Sequence, residues 1–212
     1  MHDPIDFHLY CITDRQQTTG RPLLDVVQAA LDGGVRAVQL REKDLEGGEL
    51  YALAAQLRDI TARYQARLLI NDRIDVALAV DADGVHLGQT SFPVSTAREL
   101  LGPDKLIGVS THSLEEITAS TGADFIVFGP VYFTPSKAAY GEPQGLERLR
   151  QAVEQSTAPV FAIGGIKEEQ IAEVQAAGAH GIALISALSA APDPSQAAKG
   201  LLAKLRTTDQ AN

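Results

Sequence analysis

Pro159-Val-Phe-Ala-Ile-Gly-Gly165 and its echo Gly181-Ile-Ala-Leu-Ile-Ser186 are short apolar runs, each ending in Gly or Ser and each followed by a helical pattern. A strand covered on both faces needs successive apolar side chains, and Val160, Phe161 and Ile163 supply them. Two glycines at the end of a strand leave backbone N–H groups bare, so that an anion can approach closely. A plain tight turn would explain one Gly-Gly pair equally well. Its place in the count of elements is what favours an anion cradle, because in a (β/α)8 barrel the loops after strands 7 and 8 commonly hold a substrate phosphate.

Working outward, the apolar runs recur. Strands are expected at Phe7–Thr13, Ala37–Arg41, Arg67–Asn71, Gly84–Gly88, Leu106–Ser110 and Phe125–Gly129, then at the two opening runs. Between them lie helical patterns: Leu23–Leu31 closed by Asp32-Gly33-Gly34, Gly48–Tyr64, a short Ile74–Val80, Val94–Leu101, Leu114–Ser120, Leu146–Glu154 and Glu168–Ala177, with Gln196–Leu205 at the end. Uninterrupted β/α alternation predicts an all-parallel sheet with helices outside. Eight units in 212 residues suit a small (β/α)8 TIM barrel, one domain over 1–212. The rival is a doubly wound open sheet, but no Gly-x-Gly-x-x-Gly follows the first strand. The longest connection is Pro130–Gly145, where Gly141 and Gly145 would let a lid close.

The totals restrict the function classes. With 45% hydrophobic and 21% charged residues, the chain can bury a substantial core. No apolar run reaches about 18 residues, and the first residues lack a signal-peptide pattern, so a cytoplasmic protein with no membrane partner is expected. The single cysteine, Cys11, sits in an apolar run and reads as a packed small hydrophobe. A formal charge of −9 argues against a nucleic-acid partner. A chain this acidic must concentrate its cations locally if it is to bind phosphates.

Barrel chemistry gathers at the C-terminal ends of the strands. Those ends carry Gln39, Arg41 and Lys43; Asn71 and Asp72; His86, Gln89 and Ser91; Ser110 and His112; and Thr134, Ser136 and Lys137 in the long loop. Arg41, Lys43 and Lys137 are the local cations, Arg gripping phosphate through two N–H bonds and Lys acting as a mobile charge. Asp72 is the carboxylate placed to hold Mg2+, which takes one or two carboxylates along with phosphate oxygens. Each has a plainer alternative. Arg41-Glu42-Lys43 reads also as a solvated turn, Asp72 as a helix cap, and His86 as a hydrogen-bonded core histidine. His112 reads also as the residue before a capped helix, with Ser113 as cap and Glu116 completing a capping box.

Taken together, Gln39-Leu-Arg-Glu-Lys43, Ile70-Asn-Asp72, Asp83-Gly-Val-His-Leu-Gly-Gln89, Gly108-Val-Ser-Thr-His112, Phe128-Gly-Pro-Val-Tyr-Phe-Thr-Pro-Ser-Lys137, Gln144-Gly145 and Ala162-Ile-Gly-Gly-Ile166 resemble the thiamine phosphate synthase/TenI family, in the family's order from about Leu9 to Ala187. The resemblance implies a transferase of thiamine biosynthesis that joins hydroxymethylpyrimidine pyrophosphate to thiazole phosphate, with a dissociative, Mg2+-assisted departure of pyrophosphate. It implies that Gln39, Arg41, Lys43, Asn71 and Lys137 meet the pyrophosphate-bearing substrate, with Asp72 on Mg2+. Ser110, Thr134 and Ser136 would add hydroxyl contacts. Gly165, Ile185 and Ser186 would hold the thiazole phosphate through backbone N–H groups. The implied partners are these small substrates, and self-association into a homo-oligomer is left open.

One position departs from the pattern. Ser91 stands where synthases of this family carry a second acidic metal ligand, and a neutral hydroxyl is a poorer ligand for a hard dication. The run Gln89-Thr-Ser-Phe-Pro93 is closer to the TenI branch, whose members include a thiazole tautomerase that uses a histidine aligned with His112. Retention of Asp72, Lys43 and Lys137 favours the synthase. The tautomerase and a non-catalytic regulator stand as the alternatives.

Overall fold

The structure is a computed structural model and describes residues 5–134 and 142–209, with side chains through Leu205. Eight parallel strands close into a barrel in chain order, β1 pairing with β2 on one side and β8 on the other. They are β1 Leu9–Ile12, β2 Ala37–Leu40, β3 Arg67–Asn71, β4 Gly84–Leu87, β5 Leu106–Thr111, β6 Phe125–Phe128, β7 Val160–Ile163 and β8 Gly181–Leu184. The (β/α)8 expectation therefore holds, and the open-sheet rival is excluded by closure. Among the described residues no helix is long and apolar enough to cross a membrane.

The helices are α1 Leu23–Asp32, α2 Gly47–Arg63, α3 Ile74–Ala79, α4 Val94–Leu101, α5 Leu114–Ala119, α6 Gly145–Gln155, α7 Ile171–Ala176, α8 Ser186–Ser189 and α9 Pro194–Asp209. Their starts and stops follow local chemistry. At the start of α2, Glu46 and Glu49 form a reciprocal capping box; Gly33 closes α1 and Gly34 follows at φ +104. Two expectations change. The seventh helical pattern opens as a 3-10 turn at Glu168–Gln170, and the last apolar run ends as a strand at Leu184 rather than Ser186. Ser186 instead opens the short helix α8, whose four residues are too few to show a 3.6-residue period.

Strand side chains alternate between two cores. Val38, Leu68, Ile70, Val85, Ile107 and Ile126 face the surrounding helices. Tyr10, Ile12, Ala37, Leu69, Leu106, Phe125, Val127, Phe161 and Ala183 fill the barrel interior. Phe7, Tyr10, Phe125 and Phe161 meet there with centroids 5.2–6.3 Å apart. Continuing the interior parity toward the C-terminal ends gives Gln39 and Arg41, Asn71, His86, Ser110 and Ile185. The inner core therefore ends, at one mouth, in the polar residues singled out from the sequence. Cys11 lies on the outward parity, fully packed, and burial pushes its thiol up to about 12, so it is a small hydrophobe as expected.

Candidate active site

The β2–β4 side of the mouth is a chain of side-chain bonds. Gln39, 1% exposed, donates from Nε2 to Asn71 Oδ1 at 3.3 Å, and Asn71 Nδ2 donates to Asp72 Oδ2 at 2.7 Å. Asp72 lies just past β3 at φ +60, a left-handed conformation that Asp tolerates better than bulkier residues. Its other oxygen, Oδ1, accepts from the Gly88 N–H at 3.2 Å and from the Ser91 hydroxyl, and Ser91 Oγ accepts from the same N–H at 2.6 Å. Asp72 does not cap α3, whose N-cap is Arg73 without a side-chain cap bond. The carboxylate is turned into the mouth instead, beside Ser91.

Lys43, Asn71, Asp72 and Arg73 line one open cleft of about 250 Å³, floored by Leu40 and Leu50. Lys43 is exposed, and among the described residues neither its ammonium nor the Arg41 guanidinium has a protein partner. Two cations held unpaired in a chain of charge −9 leave their donors free for an anion.

Glu42, between those two cations, does the opposite. Its side chain is 2% exposed and forms part of the cleft wall, with its carboxylate bonded to the β1–α1 loop. It accepts from Thr13 Oγ1 at 2.7 Å, from the Arg15 N–H at 3.1 Å and from Arg15 Nη1 at 3.2 Å. Thr13 Oγ1 in turn accepts from the Arg41 N–H at 2.9 Å. The turn is thus clamped to the β1–α1 loop rather than solvated. Arg15 also grips Asp44 through two bonds, at 2.5 and 2.8 Å, and Arg15 beside Asp44 holds that carboxyl below its usual range. Sequence reading missed this clamp; the available signal was an acidic residue inside a cation cluster, which needs a counter-ion of its own.

Inside the barrel His86, 2% exposed, contacts Tyr10 Oη through Nδ1 at 3.4 Å and Ser110 Oγ through Nε2 at 2.8 Å. Burial lowers its pKa to about 3, with Asp72 opposing and Arg41 reinforcing the shift, so the imidazole is neutral. His86 is the core histidine expected, yet it touches Ser110. His112 sits farther out, 33% exposed by side chain, with Nδ1 3.4 Å from Glu116 Oε2 and 3.2 Å from Gln89 Nε2. The Gln89 amide also donates to Glu116 Oε1. Ser113 caps α5 as expected, but Glu116 reaches the His112 N–H at 2.6 Å, one residue before the cap.

The β7–β8 side is built from main chain. Gly164 and Gly165 take φ +98 and +66, and their N–H groups have no protein acceptor among the described residues. A Cβ on Gly164 would lie 2.5 Å from Pro130 Cβ, and one on Gly165 would lie 2.5 Å from the Phe133 carbonyl oxygen. Glycine is required here by close approach as well as by φ. The Val131 and Tyr132 N–H groups donate to the Ile163 and Gly164 carbonyls at 2.8 and 3.0 Å, so the β6 loop is laced to this turn. Next to it Ile185 caps α8 and Ser186 begins it. Arg21 ties the far end of α8 down, donating to the Ser189 carbonyl at 2.9 Å and the Thr18 carbonyl at 3.1 Å.

The long loop has pinned ends, Gln144 N–H to the Pro130 carbonyl at 2.8 Å and Gly145 N–H to the Val131 carbonyl at 3.0 Å. Thr134 is partly buried at the loop's near edge. Ser136 and Lys137 lie outside the described residues, as does Gly141.

Known proteins resemble this chain along nearly its whole length. The family model described as thiamine monophosphate synthase matches residues 9–188. A Geobacter sulfurreducens protein provisionally named a thiamine-phosphate synthase is 59% identical, over 97% of this chain and 99% of its own. The thiamine-phosphate synthase of Clostridium novyi is 44% identical, over 93% of this chain and 98% of its own. Among solved structures, a thiamine phosphate pyrophosphorylase from Pyrococcus furiosus superposes with a TM-score of 0.86 at 40% identity, covering 96% of this chain and 98% of that one. This barrel, with a cation-and-carboxylate cleft facing a glycine cradle, belongs to the thiamine monophosphate synthase/TenI family.

Proposed function

We propose that the protein is a thiamine-phosphate synthase, a transferase that condenses hydroxymethylpyrimidine pyrophosphate with thiazole phosphate to give thiamine phosphate and pyrophosphate. The observation that carries the reading is the sharing of one cleft by Lys43 and Asp72 at the C-terminal mouth, across the barrel from the bare amides of Gly164 and Gly165. The relatives named above support it.

Two phosphorylated substrates call for two anion seats. Arg41 and Lys43, with Lys137 from the long loop, receive the pyrophosphate; Gln39 and Asn71 fix its orientation; Ser110, Thr134 and Ser136 add hydroxyl contacts. Gly165, Ile185 and Ser186 hold the thiazole phosphate through N–H groups. The bond between the pyrimidine methylene carbon and pyrophosphate oxygen breaks with both electrons leaving on oxygen. The thiazole nitrogen lone pair then forms the new C–N bond. Charge grows on the leaving group in the transition state, and fixed cations stabilise it more there than in the ground state. No protein nucleophile is needed.

The donor set fits Mg2+ modestly. Asp72 offers one carboxylate, with Ser91 supplying a neutral oxygen beside it, and phosphate oxygens and water complete the usual shell. When bound there, Mg2+ neutralises phosphate charge. The test is a direct assay with both substrates: thiamine phosphate forms with Mg2+ and stops when the metal is chelated. No product at saturating Mg2+ would sink the reading and return the tautomerase, which needs one phosphate seat and a proton shuttle at His112.

A further inference from the structure

We infer that Tyr10 and His86 form a fixed relay inside the barrel that holds the Ser110 hydroxyl as a hydrogen-bond donor, aimed at an acceptor on the bound substrate. The proposal rests on the condensation for the identity of that acceptor only; the relay itself follows from satisfying buried polar groups.

Tyr10 is 0% exposed, and burial raises its phenol further above the usual value, so it keeps its proton. Among the described residues the only partner of that hydroxyl is His86 Nδ1, 3.4 Å away. A buried hydroxyl proton without an acceptor is costly, so the phenol donates and Nδ1 accepts. A neutral imidazole that accepts at Nδ1 carries its proton on Nε2. Nε2–H then donates to Ser110 Oγ at 2.8 Å. With one lone pair of Ser110 engaged, its own proton points elsewhere, and no described protein group accepts it. Ser110 is half-buried at the C-terminal end of β5 on the interior parity, so the free proton is presented at the mouth. The opposite tautomer would reverse both bonds and strand the Tyr10 proton in the core.

The surroundings are shaped for this ring. His86 sits opposite Gly108 in the β4–β5 register, and a Cβ there would lie 2.7 Å from His86 Nδ1 and 2.3 Å from Phe125 Cζ. Only glycine leaves room for the imidazole and the phenyl ring together. The rings of Tyr10 and Phe125 stand 5.7 and 5.9 Å from it, which fixes its rotation. Arg41 and Asp72, just past β2 and β3, are the charged groups that act on the ring, and they do so in opposite directions.

In the condensation, the acceptor that gains charge is an oxygen of the departing pyrophosphate. A donor oriented before the bond breaks stabilises that oxygen without reorganising, which is worth roughly 100-fold in rate for comparable preset donors. His86 and Tyr10 are thus positioning residues that act through Ser110.

The test has two arms. Nitrogen-15 NMR of the intact protein labelled at histidine, with His86→Gln giving the assignment, is expected to show Nε2 protonated and Nδ1 bare, with and without pyrophosphate. An Nδ1–H tautomer or an imidazolium would overturn the relay. In the synthesis assay His86→Gln, whose amide N–H can replace Nε2–H, should keep kcat within about tenfold, whereas His86→Leu should lose roughly 100-fold with KM for thiazole phosphate unchanged. Equal loss in the two variants would also overturn it. The NMR arm is independent of turnover, so an Nε2–H tautomer in a protein that makes no thiamine phosphate would count against the condensation and leave the relay standing.

Discussion

The two sides of the barrel mouth hold phosphoryl groups by different means. On the β2–β4 side the positive charge sits on long side chains, Arg41 and Lys43, carried by a turn that other side chains hold in place. Glu42, Thr13 and Arg15 fix that turn through a closed set of bonds that reaches the Arg41 N–H. On the β7–β8 side the donors are main-chain N–H groups, aimed by the backbone itself; what they require is glycine, the laced β6 loop and the Arg21 tie. A side-chain pocket supplies charge and can strengthen as a leaving group ionises. A main-chain pocket supplies fixed geometry and suits a phosphate that stays unchanged through the reaction.

Removing the carboxylate is the most severe way to break the comparison. Asp72→Ala should lower kcat/KM for synthesis by roughly 1000-fold at any Mg2+ concentration, while His112→Ala spares it. A steady-state assay of both variants checks this, and the inverse result would move the chemistry to the His112, Gln89 and Glu116 cluster.

Next, the two pockets should fail separately. Glu42→Gln leaves Arg15 without its buried counter-ion and loosens Arg41 and Lys43, raising KM for the pyrimidine substrate by roughly tenfold with the thiazole KM unchanged. Gly165→Val adds a side chain at φ +66 against the Phe133 carbonyl, raising the thiazole KM by a similar factor and lowering Tm. If each variant affected both substrates equally, the pockets would not be separate.

The smallest effect is at Ser91. Ser91→Asp should lower the Mg2+ concentration for half-maximal rate by about threefold, since a second carboxylate then joins Asp72. An unchanged metal dependence would mean that the side chain at this position does not take part in metal binding.

Most of the fold was legible because strands in a closed parallel barrel are apolar on both faces and short, so Arg67–Asn71 was bounded as it stands, as was the helix Val94–Leu101 by its own apolar spacing. The rim residues were legible for a related reason: Gln39, Asn71 and Ser110 continue the interior parity of their strands. Three features were hidden. The helix α8 is shorter than one hydrophobic period. The burial of Glu42 depends on Thr13 and Arg15, nearly thirty residues upstream. The contact between His86 and Ser110 depends on a β4–β5 register that no local pattern specifies, although Gly108 marks where the space was made.

The most direct test of two distinct phosphoryl seats is a crystal soaked with pyrophosphate, Mg2+ and thiazole phosphate. The account predicts pyrophosphate against Arg41, Lys43 and Asp72, and the thiazole phosphate on the amides of Gly165 and Ser186. Both anions in a single seat, or a thiazole phosphate held by Arg41 and Lys43, would contradict it.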